Sequence, residues 1–291
     1  MLEAGLAAWF KQHWSHNMGA IDGRDLAFLA AMIERQRPAH MIEIGCASGL
    51  STALIAQLMG AYGPSKLDSF DLAETFYADP RKPVGYLLDD LPPPPNVQTQ
   101  IHTSRTSMDV QGQVSEPIAL CFIDAAHKHP WPLIDTLAVL PLMAPDGVIV
   151  HHDLQMSGGS GHYALGPKVL FDQLLQAERL AVQDWINDET ISDLPQRHLK
   201  NNIYGIDLPQ DHDAFAVRIA EAFYVGWDRD AGKRVPEEFA ARFSDFLGRT
   251  YPPAVKVAFD IGLNRYNPKP PRSQTPLPLR AIRRLRRQLT G

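Results

Sequence analysis

The stretch Met41-Ile-Glu-Ile-Gly45-Cys-Ala-Ser-Gly49 decides the fold. A short apolar run ends at a glycine. A second glycine follows four residues later, and Ser51 to Leu58 then reads as a helix. Strand, glycine turn and helix are the opening of a strand–helix–strand unit. Working outward, LDSFDL (67–72), VQTQIHT (97–103), IALCFID (118–124), GVIVHHD (147–153) and NIYGIDL (202–208) read as further strands. Helices are expected over 134–143 and 167–181, and LPPPPN (91–96) is expected to be a stiff loop between the second and third strands. Strands that are nearly all apolar, alternating with helices, predict an α/β fold with a mostly parallel sheet covered on both faces. Residues 1–37 read as a helical segment, 38–209 as the α/β domain, and 210–267 as a helical extension carrying Phe215, Phe223, Trp227, Phe243 and Phe246. Residues 268–291 hold five prolines in their first half and read as a linker followed by a tail.

Composition narrows the class. The chain has 291 residues, of which 45% are hydrophobic and 21% charged, enough for one large core. Two cysteines, Cys46 and Cys121, exclude a disulfide framework and a cysteine-rich zinc module, and both sit in apolar runs as expected of buried thiols. No apolar run approaches the ~18 residues of a membrane span. The opening MLEAGLAAWFKQHWSHN is interrupted by Lys11, Gln12 and His13 and lacks a signal-peptide layout, so a cytoplasmic, soluble protein is expected. The net charge of −5 hides an asymmetry: residues 268–291 carry seven Lys/Arg and no acid, leaving 21 basic and 33 acidic side chains elsewhere, a net of −12. An acidic body is a poor nucleic-acid surface.

The first turn selects among ligands. Its spacing is E-x-G-x-x-x-G, with no glycine at position 47 to admit a pyrophosphate, and Glu43 would repel phosphate. A cationic, phosphate-free ligand bearing an amino acid suits it, and S-adenosylmethionine meets that description. Asp71, ending the second strand, is placed to accept hydrogen bonds from both hydroxyls of a ribose. These features argue against a nicotinamide-dependent oxidoreductase.

Two later strands also end in polar residues. Asp124 closes one, with His127, Lys128 and His129 just beyond. His151, His152 and Asp153 close the other. In an open α/β sheet, ligands bind outside the carboxyl ends of the strands. Asp124 and Asp153 are candidates to hold a hard divalent cation such as Mg²⁺, which would lower the pKa of a substrate hydroxyl. His127 is the alternative or additional agent, a general base on that hydroxyl. A zinc site from His127, His129, His151 and His152 is a further option, without a dedicated ligand spacing. His152, together with His162 and Tyr163 of the glycine-rich loop 155–166, is a candidate to meet the acceptor.

At this point IEIGCASGLST (42–52), SFDL (69–72), CFIDAAHKH (121–129) and LPLMAPDGVIVHHD (140–153) resemble the class I S-adenosylmethionine-dependent methyltransferases. More narrowly, they resemble the small-molecule O-methyltransferases of the macrocin, or sugar, type. The resemblance implies a Rossmann-like, doubly wound, seven-stranded sheet over 38–209. It implies that Glu43, Gly45, Ser48 and Gly49 line the cofactor site, that Asp71 binds the ribose, that Ser104 lies near adenine and that Asp124 borders both cofactor and metal. His127 falls where relatives place the base. Metal-dependent relatives follow their second acid with Asp or Asn, whereas this chain has Leu154 after Asp153, so the third ligand falls to His151, His152 or a water. The expected activity is methyl transfer to a hydroxyl of a small molecule or glycan: a sugar, polyol or phenol.

The tail LRAIRRLRRQL (279–289) places Leu279, Ile282, Leu285 and Leu289 on one helical face among five arginines. Such a basic amphipathic helix suits an anionic membrane surface, an acidic partner or nucleic acid. Peripheral association with the inner membrane surface and a homo-oligomer are the corresponding partner expectations; nucleic acid as a substrate is disfavoured. The rival to an enzyme is a non-catalytic regulatory protein that binds an adenosine ligand and uses this tail.

Overall fold

Residues His40–Ile44 form the central strand β1, and all five are buried. Burial on both faces suits Met41, Ile42 and Ile44, while the buried His40 and Glu43 are satisfied by hydrogen bonds to Asp68 and to Ser51, Thr52 and Ser69. The computed structural model describes residues 3–14, 21–114, 117–158, 164–197, 201–228 and 234–267. The expected tail helix and loop residues His162 and Tyr163 lie outside them. Parallel to β1 run β2 (Ser65–Phe70), β5 (Val97–His102), β6 (Ile118–Ile123) and β7 (Met143–His151). β9 (Tyr204–Asp207) pairs antiparallel with β7, and β8 (Arg179–Ala181) pairs antiparallel with β9. The order is β5-β2-β1-β6-β7-β9-β8, the doubly wound seven-stranded sheet expected from the resemblance. A separate hairpin, β3 (Thr75–Phe76) and β4 (Asp79–Pro83), projects after β2.

Alternation along the strands sends side chains into two cores. Met41, Leu67, Leu120, Phe122, Val148 and Val150 pack with α1 (Ala4–His13), α2 (Gly23–Gln36) and α3 (Leu50–Gly60). Ile42, Ile44, Cys121, Ile123, Ile149 and Ile206 pack on the other face with α4 (Trp131–Val139), α5 (Gly166–Gln173) and α6 (His212–Ala220). Helices α7 (Glu237–Thr250) and α8 (Pro253–Tyr266) extend that second core through Phe243, Phe246, Leu247 and Phe259, so the aromatic residues of the helical extension are core. Cys46 and Cys121 are buried free thiols. No helix among the described residues is long and apolar enough to cross a membrane.

Local expectations differ from the structure at several points, among them the helix expected over 134–143, where α4 spans Trp131–Val139 and Met143 opens β7. Helix α5 stops at Gln173 rather than continuing to Ala181, and Arg179–Ala181 is the edge strand β8. Three residues carry no readable periodicity; their strand exists because β9 offers a partner. Likewise, the segment between the second and third strands contains the β3–β4 hairpin and not only the proline-rich loop.

Polar residues inside the sheet are paired. Burial alone would raise the Asp68 carboxyl, but hydrogen bonds from His40, Lys66 and His102 hold it below the ordinary carboxylate range. Asp135 on α4 has the opposite fate: burial pushes its carboxyl up to about 7, and Ser107 Oγ donates to it at 2.6 Å. The unfolded chain ionises such a group near its ordinary value and so binds fewer protons between there and pH 7. Its contribution to stability is therefore full at low pH and is lost as pH rises through about 7. Asp135→Asn should reduce the fall in unfolding free energy between pH 5 and 8 by on the order of 1 kcal/mol. Urea denaturation at both pH values checks this, and an unchanged fall would remove Asp135 as its source.

Candidate active site

The chain passes from β1 to β2 and β5 on one side and then returns to β6 on the other, so the order reverses between β1 and β6. That switch point is where a crevice opens. Gly45, with φ +96°, makes the turn out of β1, and a Cβ there would lie 2.1 Å from the carbonyl oxygen of Asp124. Its glycine is required by the chain's own backbone at the end of β6. Gly49, with φ +84°, precedes α3, and a Cβ there would meet Gly85 Cα at 2.7 Å. Residues 84–87 close over the turn, with Gly85 N donating to Ala47 O and Leu87 N to Ser48 O. Ser48 is itself buried.

Glu43 lies beneath this turn rather than facing the crevice. It is fully buried, and Ser51 Oγ, Thr52 Oγ1 and Ser69 Oγ each donate to its carboxylate at 2.5 Å. Burial pushes its pKa up to about 7 against those three hydrogen bonds. Asp71 is half-buried at the end of β2. Its Oδ2 accepts from Cys46 N at 3.1 Å and Ala47 N at 2.9 Å, and its Oδ1 accepts from Ala73 N at 2.8 Å. A carboxylate has about four acceptor positions, so capacity remains for a ligand hydroxyl. Ser104, with φ +55°, is exposed beyond β5, and its Oγ donates to Glu74 at 2.8 Å.

The ends of β6 and β7 deliver the second group. His152 Nδ1 lies 3.3 Å from Asp124 Oδ1 and 3.4 Å from Asp153 Oδ1. His127 Nε2 lies 3.0 Å from Asp153 Oδ2. The ligand-capable atoms of Asp124, His152 and Asp153 all fall within 4.8 Å of one another. Asp153 adopts φ +64°, a conformation that Asp tolerates better than most residues. Burial would raise its carboxyl, but His152, His127 and Asn202 together hold it below the ordinary range. Burial disfavours the charged form of His152, yet Asp124, Asp153 and Asp25 outweigh it and raise its pKa well above the usual imidazole value.

The four-histidine zinc alternative is not assembled. His151 points into the core, 2.9 Å from Thr136 Oγ1, and burial pushes its pKa down to about 3. His129 is buried against Ala222 O, with a pKa pushed down to about 4 by burial. Of the candidates for the place left by Leu154, it is His152 that reaches the two acids.

Three contributors escape sequence reasoning. Asp25, on α2, accepts from His152 Nε2 at 2.9 Å. Asn202, just before β9, donates from Nδ2 to Asp153 Oδ1 at 3.0 Å. Tyr77, in the β3–β4 hairpin, has a pKa raised by burial and by the nearby Asp124 and Asp153 against the opposing Arg197. The D-x-x-D spacing of Asp22 and Asp25 is a readable helix cap; its contact with His152, 127 residues away, is not. A cavity of about 290 Å³ is lined among others by Leu154, Gln155, Lys168, Phe171, Asn201 and Tyr204; none of Asp124, His127, His152 and Asp153 lines it.

A mostly parallel sheet with this order, a glycine turn at its switch point and acids on either side define a Rossmann-like, doubly wound α/β architecture. Residues 42–154 match the family model described as Methyltransferase domain. Among solved structures, it is similar to the O-methyltransferase TomG from Streptomyces achromogenes, involved in tomaymycin synthesis and solved with S-adenosylmethionine. The identity is 15%, over 72% of this chain and 91% of that one, with a TM-score of 0.46. The O-methyltransferase from Bacillus cereus, in complex with S-adenosylhomocysteine, shares 14% over 71% and 92%, with a TM-score of 0.45. The Podospora anserina methyltransferase PaMTH1, bound to S-adenosylhomocysteine, shares 12% over 71% and 88%, with a TM-score of 0.43. No curated protein matches the chain significantly.

Proposed function

We propose that this chain methylates a hydroxyl oxygen of a neutral small molecule, a sugar, polyol or phenol. The observation that carries the reading is the convergence of Asp124, His127, His152 and Asp153 from two strand ends. The donor set fits the cofactor: Asp71 and Asp124 flank the Gly45 turn, favouring a sulfonium, an ammonium and ribose hydroxyls over phosphate. S-adenosylmethionine supplies an already activated, electrophilic methyl group. The chain's own contribution is mainly orientation, and well-oriented reactions recover roughly 7–11 kcal/mol of the barrier.

His127 is the proposed base. With Nε2–H donated to Asp153, its Nδ1 is the nitrogen able to take the hydroxyl proton. Asp124, His152 and Asp153 form the donor set for a divalent cation, which would supply Lewis-acid activation of the hydroxyl.

Calorimetric titration with S-adenosylmethionine, followed by S-adenosylhomocysteine release over a panel of hydroxylated acceptors, tests the reading. Binding with acceptor-dependent release is expected. Binding without release on any acceptor would favour a regulatory binding protein, and no binding would sink the reading. Asp71→Ala should weaken cofactor binding about 10–100-fold, the range for losing hydrogen bonds to a charged group. Unchanged affinity in the same titration would remove Asp71 from the site.

A further inference from the structure

The cation site proposed above has one feature that an all-oxygen magnesium site does not need. His152 is 1% exposed, and its Nδ1 has no hydrogen-bond partner, although it sits 3.3 Å and 3.4 Å from the oxygens of Asp124 and Asp153. A buried ring nitrogen set between two carboxylates, without a hydrogen bond to either, is placed to give up its proton and share a cation with them. Its other nitrogen is committed, since Nε2 lies 2.9 Å from Asp25 Oδ2. That carboxylate is held in turn by a capping box. Asp22 N donates to Asp25 Oδ2 at 2.8 Å, and the Asp22 side chain accepts from Arg24 N and Asp25 N. Asp22 Oδ2 also accepts from Arg197 N at 2.9 Å, and Gly23 N donates to Pro195 O at 2.7 Å, so the start of α2 is tied down on two sides.

Resting on the methyltransferase reading, we infer that His152 Nδ1 is a metal ligand, that Asp25 is its positioning residue, and that the site selects a borderline transition metal over Mg²⁺. A ligating histidine characteristically donates its second N–H to a carboxylate, which fixes the ring and raises its basicity, and Asp25 stands in that place. Imidazole suits Zn²⁺, Fe²⁺, Co²⁺ and Ni²⁺, whereas Mg²⁺ prefers oxygen and dehydrates reluctantly. With one nitrogen and two carboxylates, the cluster belongs to the first group. Helix α2 is thereby part of the site, although it lies outside the strand ends that carry the other ligands.

The test measures cation binding directly, without turnover. Purified full-length protein is titrated with Co²⁺ and with Mg²⁺, and the Mn²⁺-loaded protein is examined by pulsed electron paramagnetic resonance for a coordinated nitrogen. Native protein should bind Co²⁺ at least about tenfold more tightly than Mg²⁺ and show one bound nitrogen. His152→Asp should keep a cation, lose the nitrogen signal and narrow the preference. Asp25→Asn should weaken Co²⁺ about 10–100-fold, the usual cost of disturbing such a partner, with little change for Mg²⁺. A native Mn²⁺ complex without bound nitrogen overturns the inference, and needs no variant to fold. So does protein that binds S-adenosylmethionine but no cation, because His152 is then only the charge partner of its acids. If S-adenosylmethionine fails to bind while the nitrogen signal is present, it is the methyltransferase reading that falls and not the metal assignment.

Discussion

Asp124→Ala should lower methyl-transfer turnover by about 10²–10⁴-fold, the range for losing a group that activates the reacting oxygen. The fold should survive. Asp124 holds its place at the end of β6 through its backbone, whose N donates to Ile44 O at 2.8 Å and whose carbonyl lies against Gly45. Its side chain is 17% exposed at the crevice and faces His152. Asp153 and Asp25 also crowd that histidine, so deleting one of the three carboxylates relieves repulsion between the remaining acids. The melting temperature should stay level or rise, as is common when a functional acid is removed. Turnover measured beside a thermal melt separates the two effects. Native-like turnover would sink both the cation and the base-support roles; a collapsed melt would make Asp124 structural.

Gly45→Ala should be the most damaging single-methyl change in the domain. Two costs coincide. Alanine at φ +96° carries backbone strain of about 1–3 kcal/mol, and a new Cβ 2.1 Å from a backbone carbonyl must displace the end of β6 or of β1. Overpacking of this kind costs about 1–3 kcal/mol more, giving roughly 2–6 kcal/mol together. In a chain of this size, each kcal/mol moves the melting temperature by about 2–4 °C, so a fall of roughly 5–20 °C is expected. The same shift would separate Asp124 from the turn, so cofactor affinity should fall with it. A melt within about 2 °C of native would show that the backbone relaxes freely there and would contradict the close approach of β1 and β6.

The site was unevenly legible. Asp71, Asp124 and Asp153 could be read as candidates because an acid at the end of an apolar strand is a local pattern, and strand ends converge in any doubly wound sheet. Glu43 was legible as a special residue but not in its orientation. The parity of β1 turns it away from the crevice, toward Ser51, Thr52 and Ser69, and that depends on which helix covers which face. The histidines were least legible. His151 and His152 are neighbours of one kind, yet one ends in the core against Thr136 and the other among three carboxylates. Strand alternation separates them, and only the register of β7 against β6 says which faces inward.

Apolar runs, glycine turns and helical stretches in the sequence specify a mostly parallel sheet and the end of it where the candidate site lies. Those signals are local, each spanning a few residues. Tertiary structure alone decided the edge strand β8, the β3–β4 hairpin, and the approach of Asp25 and Asn202 to the acids of β6 and β7. These contacts join residues far apart in the chain, and their free energy comes from partners that no window of sequence contains.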